Sequence, residues 1–246
     1  MERHVIIGSG SGVGAALARR LAGPGVGLLL HTGSNRTGLD AVAGTCRAAG
    51  AEVATCVGRT EDEAPFDAVQ DWLDASPSSS LTGFTFAAGY ARLGAIDDTP
   101  VAALDESLQA MPIAFHRLAA MAATRLTDGR GRIVCVSAFG AHRTKTHSYA
   151  ATAPAKAALE AQVRVFAANL APRGVTVNAV VPGYVEKEPG TPSSLSPAQW
   201  RTVTAAIPMN RIGARDEVAA VAAFLLSAES SYLTGQSIHV NGGLTL

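Results

Sequence analysis

The 246 residues carry 20 basic and 20 acidic side chains, a formal net charge of zero and no sustained basic run, which excludes the electrostatic footprint of a nucleic-acid binder or a membrane-surface protein. Cys46, Cys56 and Cys135 are few and follow neither a zinc nor a disulfide spacing, so a reducing compartment and inert thiols are expected. An apolar strand begins within a few residues of Met1 and no apolar run is long enough for a membrane helix, which leaves no room for a signal peptide and predicts a cytoplasmic protein with a small-molecule partner.

Short β-type runs alternate with longer Ala/Leu-rich stretches of helical spacing from one end of the chain to the other. That alternation predicts an α/β fold: a single domain over residues 1–246, built as a Rossmann-type doubly wound parallel sheet of about seven strands with helices on both faces. The first predicted strand, His4 to Gly8, runs into Gly8-Ser9-Gly10-Ser11-Gly12-Val13-Gly14 and a helix over Val13 to Leu21. Glycines there let the chain turn tightly, let backbone N–H groups approach a pyrophosphate, and aim the positive end of the helix at it.

Strands are then predicted at Val26 to Thr32, Glu52 to Val57 and Gly83 to Ala88, with Ser76-Pro77-Ser78-Ser79-Ser80 as a surface loop between a helix and the last of these. Pro112 removes a backbone donor from the following long helix and predicts a kink. A fifth strand is expected at Arg132 to Ser137, a sixth at Val175 to Val181 and a seventh at Ser237 to Val240. Between the last two, residues 184–207 form the lid candidate: an irregular stretch at the carboxyl end of a strand, followed by a helix that Ser196 and Pro197 would start as N-cap and first residue. A plain surface loop is the alternative for this stretch. His116, His142 and His147 have no metal-ligand spacing and no paired carboxylate nearby in sequence, so they are read as packing or surface residues and no metal is expected.

Gly8-x-x-x-Gly12-x-Gly14, Ala87-Ala88-Gly89, Gly131-Arg132-Ile133-Val134, Asn178-Ala179-Val180-Val181-Pro182-Gly183 and Leu233-Thr234-Gly235-Gln236 through Val240-Asn241-Gly242-Gly243 follow one another in an order that resembles the short-chain dehydrogenase/reductase family over the whole chain. The resemblance implies a nicotinamide cofactor held by Gly8, Gly10, Ser11, Gly12, Val13, Gly14, Thr32, Ser34, Asn35, Arg36, Arg59, Ala88, Gly89, Lys156, Pro182 and Gly183, and a homodimer or homotetramer built on the long helices. The second strand ends without the carboxylate that binds a ribose 2′-hydroxyl, and Arg36 could make a forked contact to phosphate, so NADP(H) is expected rather than NAD(H). Lys187 stands where the family carries a threonine and could reach the pyrophosphate.

Lys156 matches the family's catalytic lysine, but Thr152 stands where the tyrosine is expected, Ala138 where the serine is expected and Met111 where the asparagine is expected. The nearest tyrosine, Tyr149, lies seven residues before Lys156, a Tyr-x6-Lys spacing similar to the family's enoyl-ACP reductase branch. Two helical turns would leave both on one face, and Pro154 would place Tyr149 at or before the helix start. Tyr149, Lys156 and Ser137 are therefore the catalytic candidates, with Tyr90, Met111, Phe139, Tyr184 and Trp200 as pocket walls.

The activity these residues imply is NADPH-dependent reduction of an enone, enoyl thioester or ketone, an acyl or polyketide-like substrate presented free or as a carrier-protein or CoA thioester. The losses at Ala138, Thr152 and Met111 leave two rivals open: non-redox chemistry such as cyclisation, isomerisation or dehydration, and a non-catalytic NADP-binding protein.

Overall fold

The computed structural model describes residues 1–75, 81–143, 149–188 and 195–246. The loop expected at Ser76 to Ser80, His147, and residues 189–194 of the lid candidate lie outside the described residues. Strands β1 (Glu2–Ile7), β2 (Val26–Thr32), β3 (Glu52–Val57), β4 (Gly83–Phe86), β5 (Arg132–Val136), β6 (Thr176–Pro182) and β7 (Ser237–Val240) alternate with α1 (Gly12–Leu21), α2 (Arg36–Ala48), α3 (Ala64–Asp74), α4 (Val101–Leu108), α5 (Ala114–Ala123), α6 (Thr152–Leu170), α7 (Pro197–Ala205) and α8 (Arg215–Leu226). All seven strands are parallel, in the order β3-β2-β1-β4-β5-β6-β7. This is the doubly wound α/β sheet expected from the sequence.

Both faces of the sheet are covered because side chains along each strand alternate between them. Val5 and Ile7 of β1, with Phe84, Phe86, Ile133 and Val177, join a core that takes in Phe115 and Leu118 of α5 and Leu159 and Val163 of α6. Ile6, with Leu28, Leu30, Val134 and Val180, joins a second core with Leu17 of α1, Val42 of α2 and Val218 of α8. Sheet growth reverses at β1, which pairs with β2 on one side and β4 on the other. A crevice therefore opens beyond the carboxyl ends of these central strands, the place where open α/β sheets bind ligands.

Strand ends differ from the expectation by one or two residues, and two of the differences matter. β4 stops at Phe86, so Ala87, Ala88 and Gly89 leave the sheet, Gly89 at φ +141°. β5 stops at Val136 and puts Ser137 in the following turn. Pro112, expected to kink its helix, lies in a π-helical turn, Gln109–Ile113, that joins α4 to α5, the wider turn accommodating the missing N–H. α7 begins as expected: the Ser196 hydroxyl accepts from Gln199 N, and Ser196 N donates to Gln199 Oε1 at 2.8 Å, closing a capping box. Among the described residues, no helix is long and apolar enough to cross a membrane.

Asn178 ties the last strand to the sheet. Fully buried on β6, its side chain donates to Leu233 O at 2.8 Å and accepts from Gln236 N at 3.1 Å. Asn178→Ala leaves both backbone groups unsatisfied in a buried setting and should lower unfolding stability by about 2–3 kcal/mol in urea titration. A loss below about 0.5 kcal/mol would show that the amide is not what fixes β7.

Candidate active site

The crevice is a groove of about 810 Å3 that runs from the turn after β1, past the ends of β2 and β3, to the ends of β4, β5 and β6. Gly8, Gly10, Ser11, Gly12 and Val13 form its floor. Gly8 adopts φ +89°, and a Cβ there would strike the Ala88 backbone. At Gly14, buried in the first turn of α1, a Cβ would collide with Gly8 O. These two positions need glycine so that the helix can start hard against the turn and present its N-terminal N–H groups to the groove.

His31, which carries no motif in the sequence, braces this turn. Its buried ring accepts from Gly8 N at 3.3 Å through Nδ1 and donates from Nε2 to Gly58 O at 2.8 Å. Burial holds its pKa below the ordinary histidine value, with the Gly58 contact opposing. The ring is therefore a neutral strut between β1, β2 and β3. Its signal is a polar residue inside an apolar strand, interpretable only once the strand's neighbours are known.

On one rim stand Thr32, Gly33, Ser34 and Asn35, with no carboxylate among them. Asn35 is committed to structure: Oδ1 accepts from Gly38 N as the cap of α2, and Nδ2 donates to Gly10 O at 2.9 Å. That cap corrects the expectation for Arg36, which becomes the first residue of α2, exposed and outside the groove lining. The guanidinium on the rim is that of Arg59, which donates through Nε to Glu61 Oε1 at 2.6 Å and reaches Glu106 Oε1 at 3.5 Å.

At the opposite end, Ala87, Ala88, Gly89, Val136, Ala138, Phe139, Tyr149, Thr152, Lys156, Pro182, Gly183 and Tyr184 close the groove. Lys156, 7% exposed on α6, donates to Val136 O at 2.8 Å. Burial lowers the pKa of its ammonium, while Cys135 and Glu160 oppose that shift. Tyr149 precedes α6 and pairs in a short parallel bridge with Gly94. Its ring meets Phe139 edge-on at 6.4 Å; Phe139 packs on Tyr184 at 4.8 Å, and Tyr184 on Trp200 of α7 at 5.9 Å. Burial first, with the neighbouring Tyr149 adding to it, pushes the Tyr184 hydroxyl up to about 12.

Two expected site residues, Ser137 and Met111, make other contacts, although Ser137 still lines the groove, and His142, read as a packing or surface residue, gains a carboxylate partner. The Ser137 hydroxyl donates to Glu160 Oε1 at 2.5 Å, a bond made because β5 ends one residue early and the turn swings the side chain onto α6. Met111 is fully buried in the core beneath Gly89 and is not a wall of the groove, because the π-turn rotates it inward. His142, expected to have no carboxylate partner, lies 2.7 Å from Glu160 Oε2, since the turn after β5 returns it to α6. Thr152, at the family tyrosine position, accepts a long hydrogen bond from Arg92 N at 3.4 Å. Tyr90, on the rim, shares a hydrogen bond with Ser107. His116 packs edge-on against Phe166. Among the described residues, no group of three His, Cys, Asp or Glu side chains could hold a metal ion.

A family model described as enoyl-(acyl carrier protein) reductase matches residues 7–245. The chain belongs to the short-chain dehydrogenase/reductase family. It is 29% identical over 248 residues to the uncharacterised oxidoreductase YmfI of Bacillus subtilis, covering 97% of each chain. It is 32% identical over 253 residues to the 1-cyclohexenylcarbonyl-CoA reductase of Streptomyces collinus, covering 98% of this chain and 86% of that one. A short-chain dehydrogenase/reductase from Serratia marcescens superposes with a TM-score of 0.91 at 26% identity, covering 100% of this chain and 98% of that one. These relatives support a nicotinamide cofactor, and the groove fits one: a turn cleared of side chains, a helix N-terminus and a long polar rim.

One contact crosses that cradle. The Glu188 carboxylate accepts from Gly12 N at 3.3 Å and is ion-paired with Arg215, whose hydrogen bond is the largest influence holding its pKa below the usual value. An anion therefore already rests where a helix N-terminus would take a pyrophosphate. Glu188→Gln removes that competitor's charge and should tighten NADPH binding by about 2–5-fold in a calorimetric titration, the scale of one helix-terminus charge interaction. Unchanged or weaker binding would show that Glu188 does not compete with the cofactor.

Proposed function

We propose that this chain is an NADPH-dependent reductase of a carbon–carbon double bond conjugated to a thioester carbonyl, with Tyr149 as proton donor and Lys156 as its electrostatic partner. The observation that carries this reading is that Tyr149 and Lys156 line the same aromatic-walled end of a groove whose other end is the glycine turn. The description of the matching family model and the substrate in the name of the Streptomyces relative point the same way.

NADPH, when bound, supplies the hydride. The chain's contribution is to position the substrate, exclude water and manage a proton. Phe139, Tyr184 and Trp200 offer an apolar surface for the substrate, and water excluded there strengthens every dipole aimed at the reacting carbonyl. Negative charge that develops on that oxygen meets the Tyr149 O–H. Tyr184, whose proton burial holds on well above neutrality, stands beside Tyr149 as a second phenol of the groove wall. The Lys156 ammonium adds positive charge on the same side. The missing carboxylate at the end of β2 removes the usual partner of an NADH ribose, and Arg59 supplies a rim cation for a 2′-phosphate.

The direct test follows NADPH oxidation with matched 2-enoyl and 3-oxoacyl thioesters. The enoyl compound should be the faster substrate; reduction of the 3-oxoacyl compound alone would make the chain a ketoreductase and overturn the assignment. Tyr149→Phe should lower kcat by roughly 10²–10³-fold with little change in NADPH affinity. Tighter binding of NADH than NADPH would refute the cofactor preference.

A further inference from the structure

The most heavily hydrogen-bonded carboxylate in the described core lies outside the proton-transfer pair. Glu160, 3% exposed, sits four residues beyond Lys156 on the same face of α6. It accepts from Ser137 Oγ at 2.5 Å, from Ser237 Oγ at 2.6 Å and from His142 Nε2 at 2.7 Å. The first of these partners follows Val136, whose carbonyl takes the Lys156 ammonium at 2.8 Å. Consecutive residues at the end of β5 are thus gripped by side chains one helical turn apart on α6. The Ser237 contact adds β7, and the His142 contact adds the short turn that carries Phe139 into the groove wall.

A buried ammonium with a single neutral acceptor is unfavourable unless an anion stands near. Two acids act on Lys156: Cys135 of β5 and Glu160 of its own helix. Burial pushes the Cys135 thiol up to about 12, so that group stays neutral and contributes no charge. Gly89, whose Cα lies close to the ammonium, carries no charge. On its far side Glu160 faces His142, whose ring stacks edge-on with His239 at 4.7 Å, and the two serine hydroxyls. All three of these contacts are donors aimed at the carboxylate oxygens.

We infer that Glu160 is a positioning residue: it is the buried counter-charge that keeps Lys156 an ammonium, and the clamp that sets α6 against the ends of β5 and β7. The consequence for catalysis rests on the proposed role of Lys156 beside Tyr149. The charge state of the lysine does not, and can be read without cofactor or substrate.

The chain's lysines are Lys145, Lys156 and Lys187, so lysine labelled with 13C at Cε gives a sparse spectrum, assigned with Lys145→Arg and Lys187→Arg variants. In the wild type, Lys156 should remain protonated through pH 7. In Glu160→Gln, which keeps the side chain's shape and much of its hydrogen bonding, its titration midpoint should fall by about one pH unit or more; Glu160→Asp, which keeps the charge, should restore most of the shift. The alkaline limb of kcat should move down with it. An identical Lys156 titration in wild type and Glu160→Gln would overturn the inference, as would a wild-type Lys156 already neutral at pH 7, a measurement that stands even if the variant does not fold. A shifted titration with an unshifted rate profile would leave the counter-charge in place and refute the catalytic role of Lys156 instead.

Discussion

The approach of β1 to β4 at the centre of the sheet sets the geometry of everything else. Because these strands are parallel neighbours, their carboxyl ends emerge side by side, and the Gly8 turn lies directly against the Ala87–Ala88 backbone with no space for a side chain between them. That contact brings a phosphate-type anion cradle within one groove's length of the ends of β5 and β6, beside which Tyr149 and Lys156 line the groove. β1 could not hold this position without apolar residues on both its faces: Val5 and Ile7 into one core, Ile6 into the other.

Structure is legible in the sequence where physical constraint is local. Strand positions can be read from short apolar runs bounded by turn residues, because a strand buried on both faces leaves such a run whatever its neighbours are. The glycine turn and the Ser196 cap are legible for the same reason: each satisfies a backbone requirement within a few residues of itself. The positions that local reading misplaces depend on partners far away in the chain. Arg36 reads as a rim cation, but Asn35 caps α2 and bonds Gly10, 25 residues earlier, which makes Arg36 a helix residue. Met111 and His142 are displaced because a π-turn and a strand one residue shorter than expected rotate the segments that carry them. Glu160 is invisible to local reasoning, since its partners lie 18, 23 and 77 residues away.

The reactive end shows how a site can be rebuilt around a fixed lysine. With threonine at 152 and alanine at 138, neither a phenol nor a hydroxyl comes from the family's usual positions, yet phenols line that part of the groove from other elements. Tyr149 enters before α6, and Tyr184 enters from the segment after β6. Burial against Phe139 and Trp200 holds the proton on Tyr184, which leaves Tyr149 as the phenol proposed to act.

Glu188 brings the lid segment into the same electrostatic account. Its carboxylate sits on the N-terminus of α1 and on Arg215, the first residue of α8, so two packed helices, α1 and α8, share one anion. A single carboxylate that is one-third exposed gains about 0.3–1 kcal/mol from such a terminus. A pyrophosphate would bring more charge and more acceptor oxygens than one carboxylate to the same N–H groups. Both anions make charge-assisted bonds there, so the contest turns on the number of such bonds and on the total charge rather than on the kind of bond. Arg215 weights it toward Glu188, because the ion pair holds the carboxylate at the helix terminus.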